Sequence, residues 1–258
     1  MKDTLFITRV INACVLLEIG EDVILTDPYF RSPGYHGIEE SVGMPVEALP
    51  KLSAIIGCLS VFDHWQIRSL DAYAYKQETP IFCATKLMAR RARAAGFTQV
   101  EVLQWNETRQ ISERLTLEVL PAHYAAGMRV NSYVLDTPNL RIFFGSEACA
   151  LKPLRDYRER PNARPIDVVF APVNGLKVFG LLKLVMGGEE AVEATRILGA
   201  KTLVPIHDAH RRNLLFMVSP SSSGASAQSA AKAMGDEVHV IRLATGERWE
   251  YDRGCRLP

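Results

Sequence analysis

Short β-branched and aliphatic runs, broken by Gly, Pro, Asp and Asn, open the chain and predict strands over Leu5 to Val10, Cys14 to Ile19 and Val23 to Thr26. The Gly20-Glu21-Asp22 break suits a β-meander. Residues 31 to 50 are rich in Gly and Pro and predict a long irregular excursion, of the kind that is functional or a lid in a compact domain. Ala54 to Leu59 is a buried-type strand followed by a polar segment, Ser60 to Arg68. Pro80 to Ala84 is another strand, and Lys86 to Ala95 is a basic, Ala-rich helix stopped by Gly96. A second β-rich stretch covers residues 99 to 147, with Asp136-Thr137-Pro138-Asn139 as a hairpin turn. Val168 to Pro172 and Thr202 to Ile206 read as buried strands around a helix from Glu189 to Leu198 closed by Gly199, and Ser219 to Gly224 reads as the most flexible part. Two β-meander halves, each followed by helices, fit a sandwich of two sheets flanked by helices.

The segment Leu176 to Met186 is unusually apolar for a connection between a strand and a helix. It predicts either an exposed patch, serving as a homodimer interface or an entrance for a hydrophobic substrate, or a buried helix or strand.

Composition narrows the partners. With 258 residues, 48% hydrophobic and 23% charged, the chain can bury a large core, and we read residues 1 to 258 as a single domain. A net charge of +1, from 30 basic and 29 acidic residues, provides no global field to recruit nucleic acid or an anionic membrane. The five cysteines are widely spaced with no CxxC pair, which argues against a disulfide framework or zinc knuckle and for a reducing compartment. The N-terminus has no signal-peptide pattern, and no apolar run is long enough for a membrane span, so the expected location is cytoplasmic.

Several segments, taken in order, carry a family likeness. They are Ile7 to Phe30 ending in Thr26-Asp27-Pro28-Tyr29-Phe30, Val46 to Ile56, Asp63-His64, Pro121-Ala122-His123, Phe143-Phe144-Gly145-Ser146, Glu189 to Val192, Gly199-Ala200-Lys201, and Val204-Pro205-Ile206-His207. Together they resemble the metallo-β-lactamase superfamily, especially its branch of ascorbate-6-phosphate lactonase and N-acyl phosphatidylethanolamine phospholipase D. The resemblance implies an α/β fold, a four-layer αββα sandwich, and a metal-dependent hydrolase built on an HxHxDH motif.

Against that pattern the motif is degenerate. Aligning Asp63-His64 with the motif's end puts Leu59 and Val61 at the two earlier histidines, Asn12 at an opening histidine, and Ser146 at the bridging aspartate, with Glu147 one position on. Of the first metal site only His123 remains, which is too little for stable zinc. The second keeps Asp63, His64 and His207, enough for one Zn²⁺, Mn²⁺ or Fe²⁺, with Glu147 as a fourth ligand if the local register shifts.

Each residue also has a plainer role. His64 and His207 are either ligands or hydrogen-bonded pocket histidines, and Asp63 is a ligand, a loop-structuring group or the carboxylate orienting His64. His123 is a pocket histidine that stabilises an oxyanion or moves a proton, alongside Asp63 as the second catalytic residue. His210-Arg211-Arg212 forms a basic edge, His36 and His239 are surface or loop histidines, and Cys58 and Cys149 are buried and inert or else nucleophiles near His64 or His123. Trp65, Tyr124 and Phe62 flank the expected pocket, as core packing or as walls for an apolar ligand. The expected activity is hydrolysis of a small ester, lactone or phosphodiester on one divalent metal. The alternative is a pseudo-hydrolase or metal-independent enzyme, with no metal, that uses the inherited pocket for small-molecule binding or acid-base chemistry. A third option is Fe²⁺ and O₂ chemistry on Asp63, His64 and His207.

Overall fold

A computed structural model describes residues 4–31, 38, 40–123, 129–161, 163–211, 218–235 and 237–252. In chain order the strands are β1 (Leu5–Ile11), β2 (Cys14–Ile19), β3 (Asp22–Thr26), β4 (Ala54–Gly57), β5 (Ile81–Cys83), β6 (Val100–Val102), β7 (Thr108–Gln110), β8 (Thr116–His123), β9 (Arg129–Asp136), β10 (Arg141–Phe144), β11 (Val168–Pro172), β12 (Lys177–Val178), β13 (Leu182–Lys183), β14 (Thr202–Ile206), β15 (Val218–Ser219), β16 (His239–Val240) and β17 (Arg248–Tyr251). The helices are α1 (Lys86–Ala94), α2 (Lys152–Arg158), α3 (Gly188–Ile197) and α4 (Gly224–Ala233).

The strands form two seven-stranded sheets, ordered β17-β1-β2-β3-β4-β5-β6 and β16-β14-β11-β10-β9-β8-β7, and a small three-stranded one, β13-β12-β15. Each sheet joins an antiparallel meander to a parallel half. β1 to β3 lead into parallel β3-β4-β5-β6, and β7 to β10 lead into parallel β10-β11-β14-β16. Three apolar clusters explain the layering. The largest joins facing residues of both sheets, such as Ile7, Leu17 and Ile56 against Leu117, Tyr133, Phe144 and Phe170. A second packs Leu25, Ile55 and Ile81 on Met88, Ala89 and Ala92 of α1, and a third packs Phe143, Val169 and Leu203 on α2, α3 and α4. The result is the expected αββα sandwich, in which each sheet buries both faces at its parallel half.

The helix ends follow local chemistry. Thr85 caps α1 by accepting the Met88 N–H, and Gly96 leaves it at φ +94°. At the start of α3, the Glu190 carboxylate reaches back to the Gly187 N–H. Two helices differ from the sequence expectation. α2 was not predicted, and the stretch read as most flexible, Ser219 to Gly224, is tied down instead. Ser221 and Ser222 donate their backbone N–H groups to the Asn174 carbonyl, Ser222 Oγ accepts from Gly188, and Ser223 caps α4. The apolar segment 176–186 forms a hairpin of β12 and β13, with Leu176, Leu184 and Val185 buried and Leu181 exposed at its tip. Both of its expected characters therefore occur, at opposite ends.

Candidate metal centre

The polar residues converge where parallel strands end. Asp27 follows β3, Asp63 and His64 lie in the loop after β4, Ser146 and Glu147 follow β10, Asn174 follows β11, and His207 follows β14. Carboxyl ends of parallel strands are the usual place for a ligand crevice in α/β sheets, and here both sheets contribute. Three of the turns adopt left-handed backbone at non-glycine residues, with φ +35° at Asp27, +45° at Ser146 and +60° at His207. Such conformations cost free energy and turn side chains inward where a regular strand would not.

One ligand atom each from Asp63, His64, Glu147 and His207 lies within 4.8 Å of the others, and all four residues are buried. The Nε2 atoms of His64 and His207 are 3.0 Å apart, and each is 3.2 Å from Glu147 Oε1. Asp63 Oδ2 is 3.3 Å from His207 Nε2 and 3.1 Å from His210 Nε2. Two buried carboxylates facing two imidazoles polarise one another strongly. Burial opposes charge on His64, but Asp63, Glu147 and the hydrogen bond to Asp27 outweigh it and hold the imidazole well above its ordinary pKa. Burial likewise opposes charge on Glu147, and the two histidines nevertheless bring its carboxyl down to about 2.

Around this cluster sits a layer that sequence reasoning missed. Asp27 Oδ2 accepts from His64 Nδ1 at 2.8 Å and from Ser146 Oγ at 2.7 Å, while Oδ1 accepts the Cys58 N–H at 2.7 Å. A carboxylate can only accept, so His64 carries a hydrogen on Nδ1, and Nε2 faces the cluster as the nitrogen that gives up its hydrogen if a cation binds. Orientation of His64, which the sequence allowed Asp63 to perform, therefore belongs to Asp27. The signal was present in the sequence as a charged residue closing the apolar strand Val23 to Thr26. Asn174 stands 2.9 Å from His207 Nδ1, and nothing local in the sequence marked it. Asn12, the residue at the opening-histidine position, is a tie between loops. Its side chain donates to the Asp63 carbonyl, and its own carbonyl accepts the His207 N–H.

The other sequence expectations resolve as follows. Leu59 is buried in the inter-sheet core and Val61 packs against it, so the positions of the two earlier motif histidines are apolar. His210 is not a basic surface edge, because it is buried against Asp63 and stacked on His207 at 4.1 Å. The His123 side chain, His36, Tyr124, Arg212 and Cys255 lie outside the described residues. Burial pushes the Cys58 thiol well above its ordinary pKa and raises that of Cys149, so neither is a ready thiolate.

The four inward groups fit a divalent cation. Glu147 Oε2 is buried with no hydrogen-bond partner among the described residues, an orphaned lone pair beside the cluster. Two imidazoles and two carboxylates form a donor set for Zn²⁺, Mn²⁺ or Fe²⁺. One adjustment is required. Asn174 turns its amide nitrogen toward His207 Nδ1 and its oxygen toward the Leu176 N–H, so offering Nε2 to a cation needs the amide to turn and Nδ1 to take the hydrogen.

The sequence profile described as β-lactamase superfamily domain matches residues 23–207. No curated protein matches the chain in sequence. Among solved structures, the chain is similar to isothiocyanate hydrolase from Delia radicum gut bacteria, with TM-score 0.76 and 18% identity over 95% of this chain and 98% of that one. It is similar also to Igni18, a metallo hydrolase from the archaeon Ignicoccus hospitalis, with TM-score 0.74 and 14% identity over 96% and 99%. A metallo-β-lactamase fold protein from Bacillus subtilis aligns with TM-score 0.68 and 17% identity over 97% and 100%. At these identities the likeness concerns the fold.

Proposed function

From the premise that this chain belongs to the β-lactamase superfamily domain family, we propose that it is a hydrolase working on a single divalent ion and acting on a small ester, lactone or phosphodiester. The observation that carries this reading is the convergence of Asp63, His64, Glu147 and His207, beside a neighbouring position made apolar by Leu59 and Val61. Glu147 supplies the carboxylate that Ser146 cannot, and Ser146 in turn braces Asp27. When bound, a divalent cation supplies Lewis-acid chemistry, polarising a carbonyl or phosphoryl oxygen and acidifying water near neutral pH.

The chain's own residues account for the remaining needs. Asp27 fixes the ring of His64, and Asn12 binds the loops of Asp63 and His207 to one another. His210 donates from Nε2 to Asp63, which leaves Nδ1 as a lone pair with no partner among the described residues. Burial and the neighbouring His207 lower its pKa, so the ring is neutral and able to take a proton at Nδ1. We give His123, the last residue of β8, a second proton-transfer or oxyanion role on the sequence reading alone.

The test is hydrolysis of p-nitrophenyl acetate, an acyl-homoserine lactone and bis-p-nitrophenyl phosphate by protein as purified, after chelation, and after reloading with Zn²⁺ or Mn²⁺. Activity on at least one substrate should fall by about 100-fold or more on chelation or in His64→Ala, and return with metal only in the wild type. Undiminished turnover by metal-free, folded protein would instead establish metal-independent use of the pocket.

A further inference from the structure

The loop carrying Asp63 and His64 has two faces. Inward, it presents those side chains to the metal centre. Outward, Val61, Phe62 and Trp65 form one wall of a cavity of about 690 Å³ whose other walls include Arg68, Arg90 and Arg91. The loop is held tight between them, because the Val61 carbonyl accepts the backbone N–H groups of both His64 and Trp65. The volume lies within the range of small-molecule sites.

Among the described residues, no acidic side chain lines this cavity. Arg91 donates to the Ser60 carbonyl at 3.3 Å, and among the described residues Arg68, Arg90 and Arg91 form no ion pair. A basic helix face facing only solvent would account for Arg90 and Arg91 on α1. It does not account for Arg68, which comes from the separate turn Ile67–Leu70 and lines the same cavity. Nor does it account for an apolar wall between them. Guanidinium groups are suited to carboxylate and phosphate oxygens, and Val61, Phe62 and Ala94 are suited to an apolar body.

We propose that this cavity is a second binding site, distinct from the metal centre, for an organic anion that joins a carboxylate or phosphate monoester to an apolar or aromatic body. The anion lies against Arg68, Arg90 and Arg91, and its body lies on the outer face of the metal loop.

The experiment is calorimetric titration of chelator-treated protein with 2-naphthyl phosphate, with 2-naphthol and inorganic phosphate as the two half-ligands. Saturable binding of the full probe is expected, with each half-ligand weaker by about tenfold or more. The triple variant Arg68→Ala, Arg90→Ala, Arg91→Ala changes only exposed side chains, so its melting temperature should match the wild type while its affinity falls by about tenfold or more. Unchanged affinity in the triple variant, binding only after metal is restored, or no saturable binding would each overturn the proposal. Because the titration uses metal-free protein, failure of the metal reading leaves its outcome unaffected.

Discussion

Asp27 shows how much of this centre depends on residues that touch no ligand. Its two oxygens accept three hydrogens, from Cys58, Ser146 and His64, while it is itself fully buried. Asp27→Asn keeps the shape but turns one acceptor into a donor that must face a donor. Metal affinity should fall by about 10- to 100-fold, read by competition with a chromophoric chelator. Unchanged affinity would mean that His64 is oriented by something else. The convergence of Asp63, His64 and His207 was legible in the sequence, because few residue types suit a metal and their order along the chain is informative. Asn174 was not, and Asp27 left only the trace of a charged residue closing an apolar strand, because many polar residues can brace an imidazole. His210 was misread for a different reason. His207 turns the chain at φ +60°, and Ile38 bridges to His210, which draws inward a residue whose neighbours Arg211 and Arg212 suggested a surface.

At the scale of elements, the loop after β4 is positioned by packing across the strand's own last residue. A Cβ on Gly57 would lie 2.2 Å from Trp65 Cζ3 and 2.8 Å from Met88 Cε, so Trp65 folds back over the strand and under α1. Gly57→Ala should cost about 1 to 3 kcal/mol of stability, measured by urea unfolding, and should weaken metal binding as the loop shifts. A wild-type unfolding midpoint would show that Trp65 accommodates the methyl group freely. The strands were legible because β-branched runs between turn residues have few other readings. The helix α4 was not, since its buried positions are Gly224, Ala227 and Ala231, too small to print an apolar period on the sequence. Its reason is tertiary. A Cβ on Gly188 of α3 would lie 2.4 Å from Ala227 N, so small residues let the two helices touch backbone to backbone. α2 is short, with Pro153 in its first turn and charged residues on its open side, and it too is fixed by packing.

For the whole molecule, the buried charges set a pH window. In metal-free protein the depressed carboxyls of Asp63 and Glu147 contribute stability above their ordinary values of 3.8 and 4.5, and lose it as pH falls toward the folded values, about 2 for Glu147. The raised imidazoles of His64 and His207 contribute stability that is complete below 6.5 and lost as pH rises through their folded values. His210, lowered, works the other way as a single group. Metal-free protein should therefore melt highest between about pH 4.5 and 6.5 and weaken toward pH 8. Metal binding requires deprotonated imidazoles, so the ion should protect most on the alkaline side of that window. A melting temperature that does not fall between pH 6.5 and 8 without metal would contradict the charge arrangement described for the cluster.

The αββα layers followed from the alternation of meanders and helices, and the two sheets repeat one plan of an antiparallel entry and a parallel exit. That plan brings the polar strand ends together, with Leu59 buried in the inter-sheet core and Val61 packed against it. The most direct test is elemental analysis of protein purified without chelator, alongside the double variant His64→Ala, His207→Ala. The account predicts one equivalent of a divalent transition metal per chain in the wild type and none in the variant. Two equivalents per chain, or none in folded wild-type protein offered Zn²⁺, Mn²⁺ and Fe²⁺, would contradict it.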